Sequence, residues 1–286
     1  MKLGRDVLLG AILLSNLFLN TNVNAFASSG PYCPDALFWR LSPPGDFIES
    51  IVETDSSQKL NLENLKLLVW NVYKGGKPGV YADLDILTQN SDLALLQEGH
   101  LSKAFLNLAC SRQEMNWKMA RNFIDDKGIF AGVLTAGRAN PDDFFYLKSP
   151  NTEPFSDVHK MTLVNLYDIP ETGEKLMVLN VHGINFVPQG FFENQINMVA
   201  ETIKGHTGPI LFAGDFNTYT TGRTEFLLKT MKSLGLKHAE VKGNEYSGLF
   251  VLDHLFYRGF KITKTEVLHD VTTSDHKPLY FELKLL

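Results

Sequence analysis

The chain has 286 residues, 44% of them hydrophobic and 21% charged, with a net charge of -5. That length suits one large α/β domain or two small ones, with enough chain to bury a sizeable core. The acidic balance excludes a protein that coats nucleic acid by bulk charge, but not an enzyme that grips a few phosphates locally.

The first residues read as export. Lys2 and Arg5 precede an apolar stretch from Val7 to Leu19, and small residues then offer cleavage after Ala25 or Ala27. The stretch is shorter than the roughly 20 residues that cross a bilayer. Residues 1–27 are therefore expected to be a signal peptide and the mature protein periplasmic or secreted, with an uncleaved membrane anchor as the alternative. The two cysteines, Cys33 and Cys110, are compatible in an oxidising compartment with one disulfide. Two buried thiols are the other possibility.

Residues 28–64, rich at first in proline and aromatics, read as a lead-in packed on the domain, ending in a polar loop over 53–64. Strand-like runs follow at 65–73 (LKLLVWNVY) and 93–98 (LALLQE), with a helix expected over Val80–Gln89 between them. GIFAGVLTA (128–136) precedes a long polar loop over 137–158 that contains Pro141, Pro150 and Pro154. KMTLVNLYDI (160–169) alternates as a half-buried strand should, and KLMVLNVHG (175–183) is again apolar. A helical pattern over 192–205 leads to GPILFAGDF (208–216), then VLDHLFYRG (251–259) and the last strand, 278–286. Strands in succession with interspersed helices predict an α/β arrangement, either one mixed sheet or two packed sheets covered by helices.

Polar residues fall at the ends of these runs. Asn71 follows Leu67–Trp70, Glu98 ends 93–98, and Asn180, His182 and Asn185 end 176–179. Asp215 and Asn217 end 211–213, Asp253 follows Val251-Leu252, and Asp275-His276 precede the last strand. A lone Asn or Asp there is usually a turn former. Six such placements together supply what metal-assisted phosphoryl chemistry needs. A hard cation such as Mg²⁺ or Mn²⁺ takes oxygen ligands, for which Glu98, Asp275 and Asn71 are the candidates. A histidine held by a carboxylate suits proton transfer near neutral pH, and His276 with Asp253 is that pair. Asp215 and Asn217, two apart on an extended chain, are expected to share one face.

LLVWNVYKG, LALLQE, VLNVHGINF, LFAGDFNTYT, LDHLFYRG and TSDHKPLYFEL resemble, in order and spacing, the motifs of the endonuclease/exonuclease/phosphatase superfamily. The resemblance covers residues 65–286 and is nearest the YafD-like bacterial branch. It implies a DNase I-like four-layer sandwich, two packed mixed β-sheets flanked by helices. By the same resemblance Asn71, Glu98 and Asp275 match metal-site residues, and His276 the general base with Asp253 orienting it. Asp215 and Asn217 match the pair that positions water and phosphate. His182 matches a second histidine facing the phosphate. Asn185, three residues on, is expected either to contact phosphate or to form a turn. His254, next to Asp253, reads as structural.

The implied activity is a divalent-metal-dependent phosphodiesterase, foremost a nuclease and expected to be monomeric. A sphingomyelinase or phospholipase C-like enzyme is the alternative, and an inactive binding protein a distant third. Nucleic acid would be met by Lys74, Lys77, Arg138 and Arg223 near the motif loops. A phospholipid would be met by Phe186, Phe191 and Phe192.

Overall fold

In β2 (Leu65–Asn71), Leu65, Leu67 and Val69 pack on one side and Leu68 and Trp70 on the other, and both sides are buried. A strand apolar on both faces belongs in the middle of a layered structure. The computed structural model describes residues 47–52, 58–112, 114–154, 156–246 and 249–286. The expected signal peptide and Cys33 lie outside the described residues.

The first half of the chain adds β1 (Ile48–Val52), α1 (Val80–Gln89), β3 (Leu93–His100), α2 (Lys103–Ser111), β4 (Asn116–Ile124) and β5 (Phe130–Gly137). With β14 (Phe260–Val267) and β15 (Leu279–Leu285) from the end of the chain they make a seven-stranded sheet in the order β1-β4-β5-β3-β2-β15-β14. The second sheet takes β6 (Asp143–Thr152), β7 (His159–Ile169), β8 (Glu174–His182), β9 (Ile210–Asp215), β10 (Lys237–His238) and β13 (Asp253–Arg258), ordered β10-β13-β9-β8-β7-β6. The remaining elements are helices α3 (Gln189–Lys204) and α4 (Thr221–Ser233), a 3-10 turn at Tyr73–Gly75 and a small ladder, β11 (Glu245–Tyr246) with β12 (Phe250–Val251).

Four layers result. Leu67, Leu95, Val178, Leu211, Leu255 and Phe281 meet between the sheets. Leu68, Leu96 and Trp117 on the first sheet's outer face are covered by Leu84 of α1 and Phe105 of α2. Phe212 and Val181 on the second are covered by Ile196 and Val199 of α3 and Leu227 of α4. Both sheets are mixed: β2 with β3 and β8 with β9 are parallel, each joined through a helix, and the other pairs are antiparallel. This is the expected four-layer α/β sandwich. No helix among the described residues is long and apolar enough to cross a membrane.

Two expectations are corrected. The loop expected over 137–158 contains the ten-residue strand β6. β6 is an edge strand, and Pro150 sits where its pairing with β7 shifts register between Lys148 and Thr152, so the missing N–H leaves no central ladder broken. The two cysteines do not form a disulfide. Helix α2 turns Cys110 inward with Phe105, Leu106 and Ala109, where the thiol is buried. Elements α2, β4, α4 and β14 were not singled out from the sequence at all.

Candidate active site

The two parallel pairs end at one edge of the sandwich. β2 and β3 end in Asn71 and in Glu98 close to the end of the latter, while β8 and β9 end side by side with His182 paired to Asp215. β13 begins there with Asp253 opposite Asp215. β15 runs antiparallel to β2, so the segment before it, with Asp275 and His276, returns to the same edge. The Trp70 indole N–H donates to the His276 carbonyl at 3.1 Å and fixes that return.

Local backbone departures aim two of these groups. Register slips between Leu96 and Gly99 on β3, and Glu98 at that bulge has φ of 52°, a left-handed conformation that turns its side chain out of the strand's alternation. Asn217 has φ of 53°. Its N–H donates to Asp215 Oδ1 at 2.9 Å and its Nδ2 to the Gly183 carbonyl at 2.8 Å. Asp215 and Asn217 are therefore brought together by a tight turn, and not by the strand alternation expected from their spacing.

Asp215 is the junction. Its Oδ2 accepts from Asn71 Nδ2 at 3.0 Å and lies 3.7 Å from His182 Nε2 and 3.8 Å from His276 Nε2. His276 is held through Nδ1 by Asp253 Oδ2 at 2.8 Å. All five side chains are buried. Burial opposes charge on His276, but the Asp253 carboxylate, with Asp215 and Asp275 behind it, overcomes that and pushes its pKa up to about 10. Burial drives His182 the other way, well below 6.5, and Lys160, His276 and Lys74 add to the effect. Asp215 is raised, chiefly by burial, with Asp253 adding to it against His276. The two imidazoles facing one carboxylate are thus unequal, one proton-rich and the other proton-poor.

The endonuclease/exonuclease/phosphatase family model matches residues 68–276, from β2 to His276. The chain belongs to this family. Relatives include UPF0294 proteins of Vibrio cholerae, 32% identical over 80% of this chain and 82% of that one, and of Vibrio campbellii, 30% identical over 77% and 78%. Among solved structures, an endonuclease/exonuclease/phosphatase from Beutenbergia cavernae matches with TM-score 0.61 and 16% identity, covering 78% of this chain and 72% of that one. The human Nocturnin catalytic domain, solved with a bound sulfate anion, matches with TM-score 0.57 and 13% identity, covering 78% and 95%. These neighbours share the DNase I-like fold.

Members of the family generally use a divalent cation, and the cleft offers two candidate groups. Ligand atoms of Asp215, Asp253 and His276 lie within 4.8 Å of one another. Two of those residues already hold each other, however, and a proton-rich His276 repels a cation. Glu98 is better suited. Among the described residues no hydrogen bond reaches its carboxylate, and His182 Nε2 at 3.9 Å and Lys74 Nζ at 4.0 Å stand opposite it. A carboxylate with no hydrogen-bond donor on it, at the same edge as the Asn71 amide, whose Oδ1 accepts only the Tyr73 N–H at 3.1 Å among the described residues, fits a hard cation. Asp275 is exposed, and its carboxylate accepts from Tyr246 and Ser274 at 3.3 Å each. Among the described residues no hydrogen bond or ion pair joins Asp275 to Glu98.

Asn185 donates its N–H to Glu153 and accepts from the Phe186 N–H at 2.8 Å, which is a turn former's pattern. His254 is buried, as expected of a structural residue. Of the four cations named from the sequence, Lys74 alone reaches the cleft. Lys77 is bound to the Ser274 carbonyl at 2.7 Å, and Arg138 to the carbonyls of Gln89 and Ser91 at the opposite end of β3. Arg223 is buried and donates to the carbonyls of Ile184, Asn217 and Val187. Phe192 is core, whereas Phe186 and Phe191 are exposed.

Two supporting residues had no role from the sequence: Asn180 was named without one, and Tyr246 was missed. Asn180 lies between the sheets, where it donates to the Leu96 and Leu134 carbonyls beside the Glu98 bulge and accepts from Gln97 Nε2 at 2.7 Å. Its place near the end of an apolar run was the signal, and it was grouped with the site for that reason. The Tyr246 ring lies 4.9 Å from that of His276, tilted by 45°, and nothing in its sequence surroundings marked it.

Proposed function

We propose that this protein hydrolyses phosphodiesters by in-line attack of water, with a divalent cation held by Glu98 and Asn71. The observation that carries the reading is the convergence on Asp215 Oδ2, in the second sheet, of His182 from the same sheet and of Asn71 and His276 from the first sheet's side, at the end of β2 and just before β15. Such a cation supplies positive charge against the phosphoryl oxygens. Asp215 and Asn217 hold the attacking water. His276, oriented through Nδ1 by Asp253, moves a proton at Nε2, and His182 faces the same phosphate as a neutral acceptor. Asn71 links the cation position to Asp215, so that charge and nucleophile are aligned before substrate arrives.

The test is hydrolysis of a soluble chromogenic diester, bis(p-nitrophenyl) phosphate, and nicking of supercoiled plasmid, each with Mg²⁺, with EDTA and with His276→Ala. Metal-dependent hydrolysis of the diester that vanishes in the variant is expected. Folded protein that cleaves neither substrate, or a variant as active as wild type, overturns the reading. Plasmid nicking would assign nucleic acid as the substrate.

A further inference from the structure

The cleft is framed by apolar side chains that stand in water. Tyr73 is 46% exposed, Phe123 39%, Phe186 80%, Leu249 74% and Phe250 41%. They come from four separate segments, and each is tied to the catalytic edge. Tyr73 follows Asn71. Phe123 lines, with Glu98 and His182, a cavity of about 140 Å³. Phe250 pairs across the β11–β12 ladder with Tyr246, whose hydroxyl reaches Asp275, and the Leu249 N–H bonds the Tyr246 carbonyl. Monomeric proteins rarely group exposed apolar residues in this way without a partner for them.

Backbone strain supplies a second observation. Tyr73 and Phe186 have φ of 49° and 52°, a region bulky residues seldom adopt and keep only where the surroundings hold them. Both are held by an asparagine. The Tyr73 N–H donates to Asn71 Oδ1 at 3.1 Å and the Phe186 N–H to Asn185 Oδ1 at 2.8 Å. Strain of this kind is typically retained at functional sites, and here it goes with two exposed aromatic rings, one two residues after Asn71 and the other next to Asn185.

We propose that this rim docks on a phospholipid surface, its five apolar side chains entering the interface so that a headgroup phosphodiester is presented to Asp215. The inference rests on the phosphodiester reading above and names its substrate class. Leu249 has no face on which a base could stack, and it is among the most exposed of the five. Of the cations expected to track a nucleic-acid backbone, Arg223 is buried, Lys77 and Arg138 are tied to backbone carbonyls, and Lys74 alone reaches the cleft. Lys74 and Lys160, the latter 3.3 Å from Glu153, instead line the small cavity beside Glu98, which suits one headgroup better than a polyanion. A phosphodiester carried on apolar chains matches a rim that is apolar around a polar centre.

The test is flotation with phosphatidylcholine vesicles, with and without phosphatidylglycerol, using His276→Ala protein so that lipid is bound and not consumed. Phe186→Ser/Leu249→Ser removes two exposed side chains, and Ile86→Ser, on α1 and 58% exposed, is the control. Thermal melting checks that each variant is folded. Partition that falls at least tenfold in the double variant and holds in the control is expected. Absence of flotation, or equal loss in both variants, overturns the proposal. Retention of a single-stranded oligonucleotide that the double variant loses also overturns it, in favour of base stacking. Because flotation does not need turnover, failure of the soluble diester assay would refute the reaction and not the docking.

Discussion

Acidification should destabilise the protein through His254, and the size of the effect follows from how that ring is held. His254 is 2% exposed. Its Nε2 lies 2.8 Å from Thr218 Oγ1 and its Nδ1 3.0 Å from His238 Nε2. The Thr218 hydroxyl donates its proton to the Val251 carbonyl at 2.6 Å, so it can only accept from His254 Nε2–H. Nδ1 is then the acceptor of the His238 Nε2–H. Both nitrogens are satisfied in the neutral ring, and a second proton would set one N–H against another. Burial, with His238 adding to it, pushes the pKa down to about 3.

An unfolded histidine titrates near 6.5. Between about 6.5 and about 3 the unfolded chain therefore binds a proton that the native chain refuses, and stability is lost as pH falls through that window. Going from pH 7 to pH 5 this one residue should remove about 2 kcal/mol. Urea unfolding at the two pH values, for wild type and His254→Gln, measures it. The variant should be less stable at pH 7 but should lose about 2 kcal/mol less on acidification. His182, depressed in the same direction, contributes to both proteins and cancels in the comparison. Equal losses on acidification in the two proteins would refute the argument.

Asp253→Asn is nearly isosteric but removes the buried charge that raises His276, so it should lower the urea midpoint at pH 7, while diester hydrolysis of the protein that remains folded falls by roughly 10³-fold because His276 loses its orienting charge. Equal activity would show that the 2.8 Å pair is structural. Asn180→Leu should cost at least about 2 kcal/mol, since it strips the donor from the Leu96 and Leu134 carbonyls and the acceptor from Gln97. It should also weaken Mn²⁺ binding by calorimetry about tenfold, because the bulge that aims Glu98 is no longer braced. Unchanged Mn²⁺ affinity in folded variant would separate the bulge from the cation.

The site was legible where a strand's apolar run stops. Asn71, Asp215 and Asp253 stand at strand ends because the layers force every buried strand to terminate its apolar pattern at the same edge. What periodicity cannot report is a departure from itself. The bulge at Glu98 and the left-handed turn at Asn217 both break strand alternation, and each sits where a side chain must be re-aimed. Charge misled in the opposite sense. Arg223 reads as a surface cation, but it donates to three carbonyls in the loops after β8 and β9, which hold the guanidinium inside. Pro150 disguised β6 because a proline argues against a strand only in a sheet's interior. The expected disulfide came from a compartment argument, which says when two thiols can be oxidised and nothing about whether a helix turns one of them into the core.

The same layered logic explains why the centre draws on both halves of the chain. Each sheet contains one parallel pair, β2 with β3 and β8 with β9, and in each the C-terminal ends carry the polar groups. Neither pair is sufficient. Asn71 and Glu98 offer oxygen to a cation but no proton carrier, and His182 with Asp215 offers a proton relay but no unclaimed carboxylate. Asn71 Nδ2 crosses the interface to Asp215, and Asn180 crosses it to Leu96 and Leu134. The polar contacts between the sheets therefore fix their relative height to within a hydrogen bond's tolerance, which apolar packing alone would set less strictly. A substitution that let one sheet slide along the other would separate cation from nucleophile before it unfolded either layer.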